Sequence, residues 1–264
     1  MTDTFNYTKI PNRGLIILSG HDSMGFLQGL ITQDINLLQQ QESIYSWLLT
    51  PNGKFLFDFF ITKNQEQLFI ECEGQDRASD LLKRLQMFKL RSDVEFELNE
   101  QIDVYASFDA PCNEHHYLDP RHTDMGWRTL EKPSSEDEIP FDAWDLQRIK
   151  LGIPDGSRDM IPQRSTLIDF GIDRYHGVSF DKGCYMGQEL TARMHYRALS
   201  KKVFIPVEFD AHPPEPQTDL LDNHGKLIGQ MCSSCENIGL ALLKKDSLKA
   251  PEELPFTPLF SSEL

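Results

Sequence analysis

The sequence predicts an α+β fold that ends in a small antiparallel β domain, and three observations carry the prediction. Residues 54–63, KFLFDFFITK, alternate with the two-residue period of a strand. Residues 76–90 repeat apolar side chains at helical spacing, with Ala78, Leu81, Leu82, Leu85 and Phe88 on one stripe. From Lys201 onward Val203, Ile205, Val207 and Phe209 alternate, a Pro-rich turn follows, and strand-like runs occupy 226–231 and 237–243.

In chain order, residues 15–18 are a continuous apolar run ending in Ser-Gly and read as a buried strand. Asp22 or Ser23 then caps a short helix bearing Phe26, Leu27 and Leu30. Residues 43–50 and 54–63 flank Pro51-Asn52-Gly53, a turn signal that makes them a hairpin. On period two, Phe55, Phe57, Phe59 and Ile61 share one face of the second strand, and Leu56, Asp58 and Phe60 the other. A carboxylate buried there ionised and alone is strongly penalised, so Asp58 is paired, protonated, at a wet sheet edge or facing a ligand cavity. Residues 67–71, 94–98 and 102–108 read as further strands, and 141–151 as a helix stopped by Gly152 and Pro154. KPSSEDEIP at 132–140 is acidic and bounded by proline, as a surface linker is.

Composition narrows the function classes. A net charge of −15 repels phosphate backbones, which argues against general nucleic-acid binding and against an anionic membrane surface. No stretch approaches the roughly 20 apolar residues of a membrane span, and the N-terminus lacks the basic and apolar regions of a secretory signal. Five cysteines without framework spacing suit a reducing compartment, and the expectation is a cytoplasmic protein. Within this acidic chain Lys182, Arg193, Arg197, Lys201 and Lys202 face Glu189 alone between 182 and 202. Such a basic island either steers an anionic ligand or forms the solvated face of a helix.

Two clusters invite a metal reading. Cys112, His115, His116, Asp119, His122 and Asp124 crowd 112–128 without helical or C-x-x-C spacing, and Cys232 and Cys235 form a C-x-x-C pair without a second pair. Neither pattern specifies a metal site, and no metal is expected.

The most informative stretch is 178–198, VSFDKGCYMGQELTARMHYRA, which reads as strand, tight turn and helix. Gly183 and Gly187 bracket Cys184, and Gln188-Glu189 opens a helix-forming segment. A following helix N-terminus and Lys182 both favour a thiolate, which makes Cys184 a candidate reactive or ligating thiol; the alternative is a small buried hydrophobe.

The order K-G-C-Y-x-G-Q-E, from Lys182 through Gly183, Cys184, Tyr185, Gly187, Gln188 and Glu189, resembles the motif of the YgfZ family, folate-binding proteins related to the T-protein (aminomethyltransferase) of the glycine cleavage system. FLQGLITQDI at 26–35, LLTPNGKFLFDF at 48–59, Asp119-Pro120-Arg121 with Gly126-Trp127-Arg128, RIKLGIPDG, and HGKLIG with NIGLALLKK resemble its other elements. The resemblance implies an aminomethyltransferase-like fold in three pieces: residues 1–40 with 101–140, residues 41–100 with 141–197, and a β-barrel over 198–264. It implies a monomer that binds tetrahydrofolate or a one-carbon derivative and helps assemble or repair iron–sulfur clusters, with client enzymes or cluster assembly proteins as partners. Cys184, Lys182 and Asp58 would carry the chemistry. Asp58, Gly183, Tyr185, Gly187, Gln188, Glu189, Arg193 and Arg197 would hold the folate. The alternative is a folate-dependent aminomethyl or one-carbon transferase. Against it, T-proteins place two adjacent acids where this chain has Phe57-Asp58, and Arg164 replaces a glutamate that many relatives carry, leaving Gln163 or Asp169 to compensate.

Overall fold

The computed structural model describes residues 6–99, 101–109, 116–134 and 137–259. The chain opens with β1 (Thr8–Ile10) and β2 (Arg13–Ser19), makes the short helix α1 (Ser23–Gln28), and runs out and back as the hairpin β3 (Ser43–Leu49) and β4 (Phe55–Asn64). Then come β5 (Gln67–Glu73), the long helix α2 (Gln75–Lys89), β6 (Glu95–Asn99), β7 (Val104–Ser107), β8 (His116–Leu118) and β9 (Trp127–Thr129). Helices α3 (Phe141–Lys150), α4 (Gly156–Asp159) and α5 (Gln188–Tyr196) follow. The last strands are β10 (Lys202–Glu208), β11 (Asp219–Leu221), β12 (Leu227–Cys235), β13 (Ile238–Lys244) and β14 (Thr257–Pro258).

Among the described residues these strands form three sheets, ordered β3-β4-β5-β2-β6, β1-β7-β9-β8 and β11-β12-β13-β10-β14. β1 pairs with β7, whereas β2 lies between β5 and β6, so the first forty residues are divided between two sheets. The central sheet is buried on both faces. One packs Ile16, Leu18, Phe59 and Ile61 against α2 through Leu81 and Leu85. The other packs Tyr45, Trp47, Phe55 and Phe60 against Ile149 of α3, Phe170, Val178 and Tyr185, and against Phe204 and Leu240 of the terminal sheet. Burying one such side chain stabilises by roughly 1.5–3 kcal/mol, so this shared core holds the parts together.

Two sequence expectations change on folding. Leu48 lies opposite Phe57 but Leu49 opposite Phe55, a bulge at Leu56. The extra residue reverses the alternation, so Phe55 joins the Tyr45 face while Phe57, Phe59 and Ile61 stay on the α2 side. Residues 177–181 are not a strand; the Ser179 amide donates to the Thr32 carbonyl at 3.0 Å and no ladder continues from it.

A buried ionic clamp joins the terminal sheet to the rest. Arg148 Nε donates to Asp145 (2.7 Å), its Nη1 to Asp159 (3.0 Å) and the Ile153 carbonyl (2.7 Å), and its Nη2 to Ser233 Oγ of β12 (2.7 Å). Asp159 also accepts from the Ser233 amide at 2.8 Å.

Candidate functional site

The Cys184 turn is fastened on both sides. Lys182 is buried and its Nζ donates to the carbonyls of Ile31 and Gln33, both at 2.9 Å. Burial pushes this ammonium down to about 8, while the Asp34 carboxylate pulls it back up. Its bonds tie the turn to the loop after α1, so Lys182 positions the turn. On the other side Gly187 sits at φ +83°, where an added Cβ would lie 2.6 Å from the Thr50 carbonyl oxygen and 2.8 Å from Leu49 Cβ. Only a residue without a side chain fits that left-handed, crowded position against the β3–β4 hairpin. Tyr185 is buried in the shared core, and the Met186 amide donates to the Gly29 carbonyl at 3.1 Å. Gly183 is unlike Gly187: its φ is not positive and a Cβ there would meet open space.

Between these anchors Cys184 is exposed. The reading of Cys184 as a buried hydrophobe is thereby overturned. Gln188 begins α5 as expected, but Glu189 points to solvent and pairs with Arg193 at 3.7 Å, and Arg197 is exposed. Arg193, Lys201 and Lys202 are exposed as well.

Asp58 lies elsewhere, in the interior. It is 3% exposed and accepts from the Tyr45 hydroxyl through Oδ2 at 2.7 Å. Its Oδ1 has no partner among the described residues and is covered by Gly156, where an added Cβ would lie 2.6 Å away. Burial raises the Asp58 pKa; Arg13 pulls it down without cancelling that, and Asp155 adds to the rise.

Beside it is a cavity of about 310 Å³ walled by Arg13, Phe60, Arg121, Arg128, Trp144 and Arg158, a set the sequence reading did not assemble. Neither Asp58 nor Cys184 lines it. Arg121 and Asp119 form a side-on pair (2.9 and 2.7 Å), while Arg13 and Arg128 converge on Glu71. Burial pushes Glu71 up, but the two guanidiniums outweigh it and hold the carboxyl below its ordinary range. The available signal was a charge inside an apolar strand, as Glu71 is in QLFIEC, the same pattern that singled out Asp58.

A pterin presents mainly N–H donors along its edge and needs acceptors opposite. The free Asp58 oxygen is closed by Gly156, while the cavity wall carries the carboxylates of Glu73 and Asp155 beside its arginines, so acceptors and donors both line the space. Asp169 does not compensate: it accepts from Thr166 and Ser200, each at 2.6 Å, while Gln163 and Arg164 are exposed. A larger cleft of about 660 Å³, lined in part by Gln33, Ser43, Trp127 and His176, includes none of Asp58, Lys182 or Cys184.

The metal candidates dissolve into structure. Cys112 and His115 lie outside the described residues, Asp119 belongs to Arg121, and among the described residues no group of three or more His, Cys, Asp or Glu could hold a metal ion. Cys232 and Cys235 donate weakly to the carbonyls of Asp159 and Asp142, at 3.7 and 3.5 Å, and burial raises both thiols.

Comparison with known proteins bears on both fold and site. The C-terminal beta-barrel domain of CAF17 matches residues 201–259. The human iron–sulfur cluster assembly factor IBA57, mitochondrial, is 29% identical, over 92% of this chain and 78% of its own length. The homolog from Phaeosphaeria nodorum is 30% identical, over 90% of this chain and 70% of its own. Among solved structures, aminomethyltransferase T of the glycine cleavage system from Bartonella henselae superposes with a TM-score of 0.70 at 15% identity, covering 92% of this chain and 79% of that one. The fold is therefore aminomethyltransferase-like with a C-terminal β-barrel. Both relatives are named as mitochondrial, which overturns the cytoplasmic expectation. Unpaired cysteines report a reducing environment and do not tell one reducing compartment from another.

Proposed function

The chain belongs to the family of the iron–sulfur cluster assembly factor IBA57, and from that premise we propose that it is an accessory factor in iron–sulfur cluster assembly, acting as a monomer through the exposed thiol of Cys184. The observation that carries the reading is the Cys184 turn itself. Lys182 and Gly187 fix its backbone against the protein and leave one sulfur facing outward. Kinship with the YgfZ family, read from the K-G-C-Y-x-G-Q-E run, is part of the same proposal.

Cluster iron is held by cysteine thiolates. As thiolate, Cys184 forms an Fe–S bond to a cluster carried by an assembly protein or client, and one resident thiolate leaves and takes a proton. The cluster keeps its charge, so the exchange requires no oxidant or reductant. No step is routed through folate. The transferase reading is disfavoured because the free Asp58 oxygen is covered by Gly156 and Phe57 faces α2.

Cys184→Ser tests the proposal. The serine keeps the size of the side chain at an exposed position, so the variant is expected to fold and melt within a few degrees of the parent. In cells lacking the native gene it is expected to leave client iron–sulfur enzymes inactive where the parent restores them. Full restoration by Cys184→Ser would remove the thiol from the function.

A further inference from the structure

We infer that the outward face of α5 is the docking surface for the protein that carries the cluster, and that it fits an acidic patch on that partner. The inference rests on the reading of Cys184 and supplies the contact that brings a partner's cluster to the thiol. Glu189, Arg193, Tyr196 and Arg197 fall at the spacing that lines one side of a helix, and all four are exposed. The helix packs inward through buried Thr191, and Leu190 lies against Gly53 of the hairpin turn. Tyr196 is 69% exposed, and Leu199, just past the helix, 49%. Tyrosine and arginine are the residue types that dominate binding energy at protein interfaces, and here a tyrosine stands beside two arginines on one face. The ring is also braced. It stands edge-on to Phe180 and His195, with centroids 5.9 and 5.2 Å away, and Phe180 stacks on His195 at 3.9 Å. Little side-chain freedom is then left to lose on docking.

Phe180 ties this ledge to the thiol. Cys184 is four residues further along the chain, so the two Cα atoms are at most roughly 14 Å apart. A stable interface covers about 800 Å² per partner, wide enough to take in both. Charge selects the occupant. Arg193, Arg197, Lys201 and Lys202 are exposed against Asp181 and Glu189, and Glu189 pairs with Arg193 at 3.7 Å. Exposed Arg174 and Lys245 line a hollow against the same helix with Met194, His195 and Lys202, where the acids are Asp169 and Asp173. Salt limits the reach of these charges to about 10 Å at 0.1 M, so a partner patch the size of α5 meets this local excess of cations and not the net −15 of the chain. An anionic bilayer is broader and meets the acidic remainder as well, which favours a protein. A cluster held by thiolates is itself anionic, and the same field draws it toward Cys184.

The probes are the iron–sulfur assembly proteins of the same organism, each purified without its cluster and titrated against the whole chain by calorimetry, with phosphatidylserine-containing vesicles as a parallel arm. One-to-one binding of at least one assembly protein is expected, weakened tenfold or more by rising salt, by Tyr196→Ala and by Arg197→Glu. Cys184→Ser is expected to bind within about twofold of the parent, because without a cluster the thiol forms no bond. Binding of vesicles alone, no binding by any assembly protein, or unchanged affinity in Arg197→Glu overturns the docking surface. If Tyr196→Ala loses its ring packing and melts early, Arg197→Glu decides alone. Restoration of client enzymes in cells lacking the native gene separates this surface from the thiol. Failure of Arg197→Glu with full restoration by Cys184→Ser supports the surface and removes the thiol. Full restoration by Arg197→Glu with failure of Cys184→Ser overturns the surface and leaves the thiol in place.

Discussion

Replacing Asp58 by asparagine removes an ionisable proton from the interior and keeps an oxygen for the Tyr45 hydroxyl, so its effect on stability depends on pH in a calculable sense. The folded-state pKa of Asp58 is raised, chiefly by burial. Between the unfolded value, about 4, and the raised folded value, the folded protein holds a proton that the unfolded chain has lost, so this carboxyl's contribution declines as pH rises through that window. Asp58→Asn has no such proton. Its stability relative to the parent is expected to improve as pH rises above about 4 and to level off once the raised folded-state value is passed, as followed by thermal melts across a pH series. A pH-independent difference would mean that Asp58 is ionised and paired at all these values. The same residue shows why an odd charge in a strand was a good signal and an ambiguous one. Its chemistry depends on Gly156, which is remote in sequence and covers its free oxygen.

At the scale of the element, the turn and helix over 182–196 separate two glycines that look alike in sequence. Gly187 combines φ +83° with a Cβ position 2.6 Å from the Thr50 oxygen. Gly187→Ala is expected to lose about 1–3 kcal/mol in denaturant unfolding and to impair the presentation of Cys184. Gly183→Ala meets neither obstacle and should stay within about 0.5 kcal/mol of the parent. Equal losses in both variants would mean that the turn is not anchored as described. The hairpin was legible because its signals are local: Pro51-Asn52-Gly53 with alternating strands either side. The bulge at Leu56 was not, since a register shift belongs to the pairing of two strands and leaves no mark in the period of one.

On the scale of the whole molecule, Arg148 is the joint between the terminal sheet and the α3–α4 region. It is fully buried, and Asp145, Asp159 and Ser233 converge on it. Arg148→Met leaves the buried Asp159 carboxylate without its cation and Asp145 with Arg158 alone, and a loss of about 3–5 kcal/mol is expected in urea unfolding. A loss below about 1 kcal/mol would show that the apolar core around Phe204 and Leu240 holds the parts together without the clamp.

The sequence by itself determined the element types, the C-terminal β domain, and the importance of Asp58 and the 182–189 run, because apolar period, turn residues and motif order are properties of neighbours along the chain. It also carried the family resemblance, through a run of residues that composition does not explain. Tertiary structure decided what those residues face. Glu71 meets Arg13 and Arg128 across 58 and 57 residues, and Lys182 reaches Ile31 across 151. Such contacts form only after strands pair and cores close, so the arginines on Glu71, the sealed Asp58 and the outward thiol of Cys184 had no local signature to read.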